Sequence, residues 1–271
     1  MNDAVATWLY AVAPTAGTSV PAGLKGVAGE PVRVVEGAGL SAVVGSVPLS
    51  DFGEEELRAH LEDLPWLEAA VRAHHWVIDN AARGGCVVPL RFATMYRDDA
   101  RIRSLLDERR ADFDSVLDLL AGRTEWGVKA YVDPQAFVPD SPGDRTGGRS
   151  SPGTAYLLRR KEQQRGRESA HVRATECAEA IHAALAELAV RTAEHPPQDA
   201  RLAEYEGWMV LNNSYLVPDP RVEEFAAAVA SLEQRFPEIR LELSGPWPAY
   251  SFTAISDSGH DSGQEGESRA Q

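Results

Sequence analysis

The adjacent histidines His74 and His75, the cysteines Cys86 and Cys177, and the carboxylates that give this 271-residue chain a formal net charge of -14 are the groups able to do chemistry. A metal site on a helix takes ligands three or four residues apart, whereas neighbouring helical residues point about 100° apart. His74 falls on an apolar helical stripe, so it reads as a hydrogen-bonded core or interface histidine, not as a ligand or base. The two cysteines are far apart and neither belongs to a CxxC pair, which reads as free, mostly buried thiols of a reducing cytoplasm. The carboxylates lie on polar helix faces, where a solvated surface accounts for them. Glu36-Gly37-Ala38-Gly39 separates two β-branched runs instead of opening a helix, so a dinucleotide reading fails. There is no phosphate-binding GxxxxGK[ST], no HExxH, no GxSxG and no Cys/His cluster with zinc spacing. The sequence therefore names no catalytic, cofactor or metal residue. What it does concentrate are stiff aromatic and arginine positions. Arg91-Phe92 ends an apolar run, and Trp247 and Tyr250 flank a proline-stiffened corner. Residues of these types are favoured as interface anchors. Arg91, Phe92, Trp247 and Tyr250 are thus candidate protein-binding positions, with plain core or corner packing as the alternative.

The acidic balance, with a pI near 5.0, argues against nucleic acid, which demands a basic face, and against anionic membrane. The N-terminus lacks the basic segment and apolar core of a secretory signal. No apolar run approaches the roughly 20 residues that a membrane-spanning helix needs, so membrane insertion is not expected.

The elements that position these residues follow from periodicity. Val5 to Val12 reads as a first strand with Trp8 and Tyr10 on one face and Leu9 on the other. Pro31–Val35 and Leu40–Val47 add two strands around a glycine-bearing hairpin, giving an antiparallel sheet. Glu54-Glu55-Glu56 opens one helix, and Pro65 opens a second whose buried face is Leu67, Ala70, Val71, His74, Val77, Ile78 and Ala81. Cys86–Tyr96 then reads as a buried strand and the spine of the first half, although Pro89 confines it to an edge or a bulge. Asp98-Asp99 caps a third long helix carrying Ile102, Leu105, Leu106, Phe113, Val116, Leu117 and Leu120, with Arg109 inside that stripe, either paired with a carboxylate or snorkelling to solvent. Glu125–Val132 is a strand. Residues 134–152 are a Pro/Gly/Ser-rich flexible insertion. A long helix from Thr154 to Pro196-Pro197 starts with the only basic cluster, Arg159-Arg160-Lys161 to Arg167, and ends with an Ala174, Ala178, Ile181, Leu185, Leu188 seam. Glu204–Val217 is β-rich with Asn212-Asn213 as a turn or bulge. Val222–Phe236 is helical, Ile239–Leu243 a strand and Tyr250–Ile255 a final short strand. The expectation is an α+β protein of two α+β domains. Residues 1–122 form the N-terminal one. Residues 123–256 form a βαββαβ ferredoxin-like sandwich with a long helix, and residues 257–271 a disordered acidic tail.

Several stretches carry a resemblance. They are Trp8-Leu9-Tyr10-Ala11-Val12, Val87-Val88-Pro89-Leu90-Arg91-Phe92-Ala93-Thr94, Tyr156-Leu157-Leu158-Arg159-Arg160-Lys161, Leu211-Asn212-Asn213-Ser214-Tyr215-Leu216-Val217, and Leu241-Glu242-Leu243-Ser244-Gly245-Pro246-Trp247-Pro248-Ala249-Tyr250-Ser251-Phe252. In this order, over about residues 5–254, the chain resembles the gas vesicle protein F/L family. It departs at Ala93, where the family often has Gly, and at Asn213-Ser214, where small alanine-like residues are usual. The resemblance implies two α+β domains, the second a modified ferredoxin fold. It also implies a non-enzymatic accessory role in gas vesicle assembly without cofactors. The implied partners are the small hydrophobic (GvpA-type) shell protein and other vesicle accessory proteins, met in the cytoplasm or at the vesicle. A second reading, a small-molecule-binding or catalytic ferredoxin-like protein, calls for a sizeable cavity with convergent polar groups. The assembly reading calls for an exposed apolar surface.

Overall fold

The computed structural model of the protein describes residues 4–16, 20–132, 152–197 and 207–253. The chain forms two compact units: the N-terminus to Ala121 with the stretch from Pro248 onward, and Gly122–Trp247. The expected flexible insertion, up to residue 151, and the expected tail at 257–271 lie outside the described residues. The C-terminal corner groups with the first unit, where chain order had placed it in the second.

The first unit is a five-stranded sheet built on β1 (Val5–Pro14). β1 pairs antiparallel along its length with β3 (Leu40–Pro48), which pairs with β2 (Arg33–Gly37). The β2–β3 connection is the tight turn Ala38-Gly39, with φ of 53° and 75°. Two positive φ values give the twist that flanking strands prefer. On the other side β1 meets two short segments, β4 (Val88–Pro89) and β5 (Met95–Tyr96). The expected long strand Cys86–Tyr96 is therefore two fragments at a sheet edge, and the spine is β1. The reason is local. Pro89 cannot donate to a ladder, and Arg91–Thr94 turns, with Ala93 at φ 66° and the Thr94 N–H and Oγ1 both donating to the Arg91 carbonyl.

β1 is buried on both faces. A register shift between Leu9 and Ala11 changes its alternation. A single extra residue moves every later side chain to the opposite face, so Trp8, Tyr10, Ala11 and Ala13 share one core and Leu9 and Val12 the other. α1 (Leu49–Phe52), α2 (Glu54–Glu62) and α3 (Leu64–Ala82) cover the first face with Phe52, Leu57, Val77 and Ile78. α4 (Asp99–Glu108) and α5 (Arg110–Leu120) cover the second with Ile102, Leu106, Phe113 and Leu117. These two helices occupy the place of the single long helix expected there. The break is Arg109, at φ -112° and ψ 19°, whose guanidinium pairs with Asp112. The Asp98 carboxylate accepts from the Arg101 N–H at 2.9 Å, the expected N-cap.

The second unit runs β6 (Arg123–Val132), α6 (Pro152–Ala186), β7 (Arg191–Glu194), β8 (Trp208–Pro218), α7 (Val222–Arg235) and β9 (Ile239–Trp247). Its sheet is wholly antiparallel in the order β7-β8-β6-β9. This is the ferredoxin-like arrangement, with Ala174, Ala178, Ile181 and Leu185 of α6 and Phe225, Val229 and Leu232 of α7 packed on one face of the sheet. The α6 seam thus faces a sheet rather than a second helix of a coiled coil. Three details depart from expectation. α6 stops at Ala186, and Arg191–Glu194 beyond it is an edge strand. Asn212-Asn213 makes no turn: both residues pair with β6, Asn213 also with β7, and the buried Asn213 amide bonds to His182 Nδ1 at 3.1 Å from within the strand. Tyr250–Phe252 is a short 3-10 turn, not a strand.

Candidate protein-binding site

An apolar groove opens in the first unit where the sheet runs out of neighbours. β5 reaches only Thr7 and Trp8 of β1, so Val5 and Ala6 keep β3 on one side and, among the described residues, lack a strand on the other. Leu49 and Phe52 of α1, Leu57 and Leu61 of α2 and Met95 of β5 close round this end to leave a volume of about 510 Å³. Glu54, Arg58 and Arg97 stand among the lining groups. Phe52 and Leu57 are buried floor, while Val5, Leu49 and Leu61 are 54%, 39% and 41% exposed. The exposed trio on a buried apolar base forms an apolar patch suited to contact with another apolar surface. Leu64, at the start of α3, is a further exposed apolar residue, at 74%.

Behind the groove sits an aromatic cluster around Trp8. Its ring meets Phe52 at 5.7 Å and Phe92 at 5.1 Å, both edge-on. Trp8 Nε1 donates to His74 Nδ1 at 3.1 Å, and His74 Nε2 lies 3.1 Å from the Leu90 carbonyl. An acceptor Nδ1 leaves the proton on Nε2, which donates to Leu90. His74 is fully buried, and burial pushes its pKa down to about 4. It is the hydrogen-bonded core histidine expected, and it ties α3 to both β1 and the β4 segment. Tyr10 accepts from the Val27 N–H at 2.9 Å and donates to Glu30. Burial first, and the Glu30 carboxylate next, push its phenol well above the usual range.

The four candidate anchors separate. Phe92 is half-buried against Trp8 and His74, and Tyr250 stacks on His75 at 5.2 Å, so both serve the same aromatic cluster. Arg91 is exposed beside Phe92. Trp247 belongs to the other unit, at the end of β9, and is 50% exposed. Residue-type reasoning missed the groove, because its walls come from a strand start, two short helices and an edge fragment. The one signal present was the apolar spacing Leu49, Phe52, Leu57, Leu61 in an otherwise acidic stretch.

The second unit has a smaller cleft of about 250 Å³ between α6 and the β7–β8 edge, lined by Glu179, His182 and Asn213 and by the apolar Ala178, Val210 and Leu211 among others. His182 Nδ1 lies 3.0 Å from the Tyr215 hydroxyl, whose pKa burial raises. Among the described residues no group of three or more His, Cys, Asp or Glu is placed to hold a metal ion, and no helix is long and apolar enough to cross a membrane. The free thiols Cys86 and Cys177 are half-buried, and burial pushes both up.

The family model described as gas vesicle synthesis protein GvpL/GvpF matches residues 6–254. The chain belongs to this family. It is 40% identical to gas vesicle protein L of Streptomyces sp. over 92% of this chain and 93% of that one. It is 30% identical to gas vesicle protein F of the same organism, over 92% and 99%. The crystal structure of the gas vesicle protein GvpF from Anabaena sp. superposes with a TM-score of 0.65 at 19% identity, covering 93% of this chain and 97% of that one, a likeness of fold. Membership gives the protein a role in gas vesicle assembly.

Proposed function

We propose that the protein is a non-enzymatic accessory factor of gas vesicle assembly that binds the small hydrophobic shell protein through the groove of its first unit and helps to nucleate or form the vesicle. The observation that carries this reading is the groove itself, a buried Phe52–Leu57 floor rimmed by exposed Val5, Leu49 and Leu61. A subunit that builds a hydrophobic wall exposes apolar surface before it is incorporated. Covering that surface on an acidic carrier disfavours premature aggregation. Phe92, Tyr250 and Arg91 act here by bracing and flanking the aromatic cluster behind the groove, and Trp247 offers a separate exposed anchor. The acidic charge accords with action in the cytoplasm during assembly and with other vesicle accessory proteins as further partners.

The small-molecule reading draws on the cleft of the second unit, where His182, Glu179 and Asn213 converge. At about 250 Å³ it falls short of the ~300–1,000 Å³ usual for ligand pockets, and the apolar groove, at about 510 Å³, is the larger of the two.

The test is co-expression of tagged protein with the shell protein and capture of the pair, with a charge-matched acidic protein as control. Leu49→Asp and Leu61→Asp are both at exposed positions, so they should leave circular dichroism and the thermal midpoint unchanged while capture falls at least tenfold. Capture by the folded double variant equal to that of the parent rejects the groove. No capture by the parent rejects the partner.

A further inference from the structure

The outer edge of the second sheet carries a pattern that the groove does not use. β9 is an end strand, bonded on one side to β6, and no strand lies beyond it among the described residues. Its Leu241 N–H points away from β6 and finds Glu233 Oε1 of α7 at 3.4 Å. Main-chain direction alternates along an antiparallel strand, so Ile239 and Leu243 also face the open edge. The Ile239 N–H is taken by the Phe236 carbonyl at 2.9 Å. The edge therefore presents the carbonyls of Ile239, Leu241 and Leu243 and the N–H of Leu243, with the Leu241 N–H held by one long bond to a movable carboxylate. An edge of this kind is a template for another strand.

The side chains say which strand fits. Ile239 and Leu241 are buried toward the helices with Leu243 half-buried behind them, while Arg240 and Glu242 are exposed on the opposite face. A strand added here must be apolar at alternate positions, acidic opposite Arg240 and basic opposite Glu242. The segment Ile239-Arg240-Leu241-Glu242-Leu243 meets that demand itself when run antiparallel. Centred on Leu241, it sets Arg240 of one copy against Glu242 of the other, and Ile239 against Leu243. We propose that β9 pairs with β9 of a second copy about a two-fold axis at Leu241, joining two four-stranded sheets into one. Leu241 and Leu243 of each copy donate to Leu241 and Ile239 of the other. Glu233 guards the edge. It occupies the position of the incoming carbonyl and must swing aside, which holds the association weak. Repulsion between two acidic chains reaches only about 8 Å at physiological ionic strength, so salt in that range permits the contact.

Sedimentation equilibrium on the full chain at physiological salt tests this with four proteins. The parent should dimerise weakly, and Glu233→Ala should tighten the dimer about fivefold by freeing the Leu241 N–H. Arg240→Glu turns both symmetry-related pairs repulsive and should weaken the dimer about tenfold. The exchange Arg240→Glu with Glu242→Arg restores opposite charges across the axis and should return the dimer to within about threefold of the parent. Hydrogen exchange should show Leu241 and Leu243 amides gaining protection with concentration. A Glu233→Ala protein that stays monomeric overturns the proposal. So does a dimer indifferent to Arg240→Glu, or one that the exchange fails to restore while the variants keep the parent thermal midpoint.

Discussion

Acidification should unlock the first unit at one residue, His74. Its neutral imidazole accepts from Trp8 and donates to Leu90 inside a fully buried aromatic cluster. Burial holds its pKa at about 4 in the folded chain, below the ordinary 6.5. Between these values the unfolded chain binds a proton that the native chain refuses. The stability from neutral His74 is therefore complete above pH 6.5 and drains away as pH falls towards 4. At about 1.4 kcal/mol per pH unit of separation, the loss comes to about 3 kcal/mol. That is a large part of the stability of an ordinary domain. Other groups also titrate: Asp98 and Asp99 are held below the usual carboxylate range, the first chiefly by the Arg101 N–H and the second chiefly by its bond to Arg33. A His74→Gln variant subtracts them, since glutamine offers one donor and one acceptor and carries no titrating group. Urea unfolding of both proteins across pH 7.5 to 4 should give a parent curve that falls about 3 kcal/mol further than the variant curve. Nitrogen-detected NMR should show the His74 ring neutral and protonated at Nε2 at pH 5.5. Parallel pH profiles, or a His74 ring that titrates above pH 6, would refute the reasoning.

Glu30→Ala removes the acceptor of the buried Tyr10 hydroxyl and of the Ala28 N–H. Leaving the buried Tyr10 hydroxyl without its acceptor should cost about 1–3 kcal/mol in urea unfolding, and amide exchange at Val27 and Ala28 should speed up. Ala38 sits at φ 53°, a conformation that penalises a Cβ, so Ala38→Gly should raise stability by about 1 kcal/mol despite its looser unfolded state. A drop instead would show that the turn is not the two-residue positive-φ hairpin. Trp247→Ala should change stability by less than about 1 kcal/mol because half the ring is exposed, while shell-protein capture falls. If both stability and capture stay at the parent level, Trp247 is no anchor.

Much of the fold was legible because burial is periodic. The α3 stripe at Ala70, His74, Val77, Ile78 and Ala81 is the buried one, and the βαββαβ order of the second unit follows from strand and helix patterns read in turn. The misreadings share a physical cause, the override of local propensity by neighbours. Cys86–Tyr96 has a strand's composition, yet β1 with its two buried faces is the spine. What decides this is pairing along all of β1, and pairing partners are not written in either segment alone. Arg191–Glu194, polar and short, has no pattern of its own and becomes a strand only because β8 offers an edge. Asn212-Asn213 has the composition of a turn and is held straight by pairing with β6 and β7, while His182, distant in sequence, takes the Asn213 amide.

The site was less legible for a related reason. Residue types that announce interfaces, aromatics and arginine, led to Phe92 and Tyr250, and these rings are largely spent on an internal cluster with Trp8, His74 and His75. The groove is made mainly of apolar residues, Val5, Leu49, Phe52, Leu57 and Leu61, that look like core in sequence. Leu57 and Leu61 are successive turns of one helix and carry the same signal, yet one is 9% exposed and the other 41%. The difference lies in where the sheet beneath them stops, which is set by β5 ending its pairing at Thr7. An exposed apolar surface is thus a property of a missing neighbour rather than of the residues that form it. The same holds for the β9 edge, where pairing capacity comes from main-chain direction and only the Arg240–Glu242 alternation is visible in the sequence.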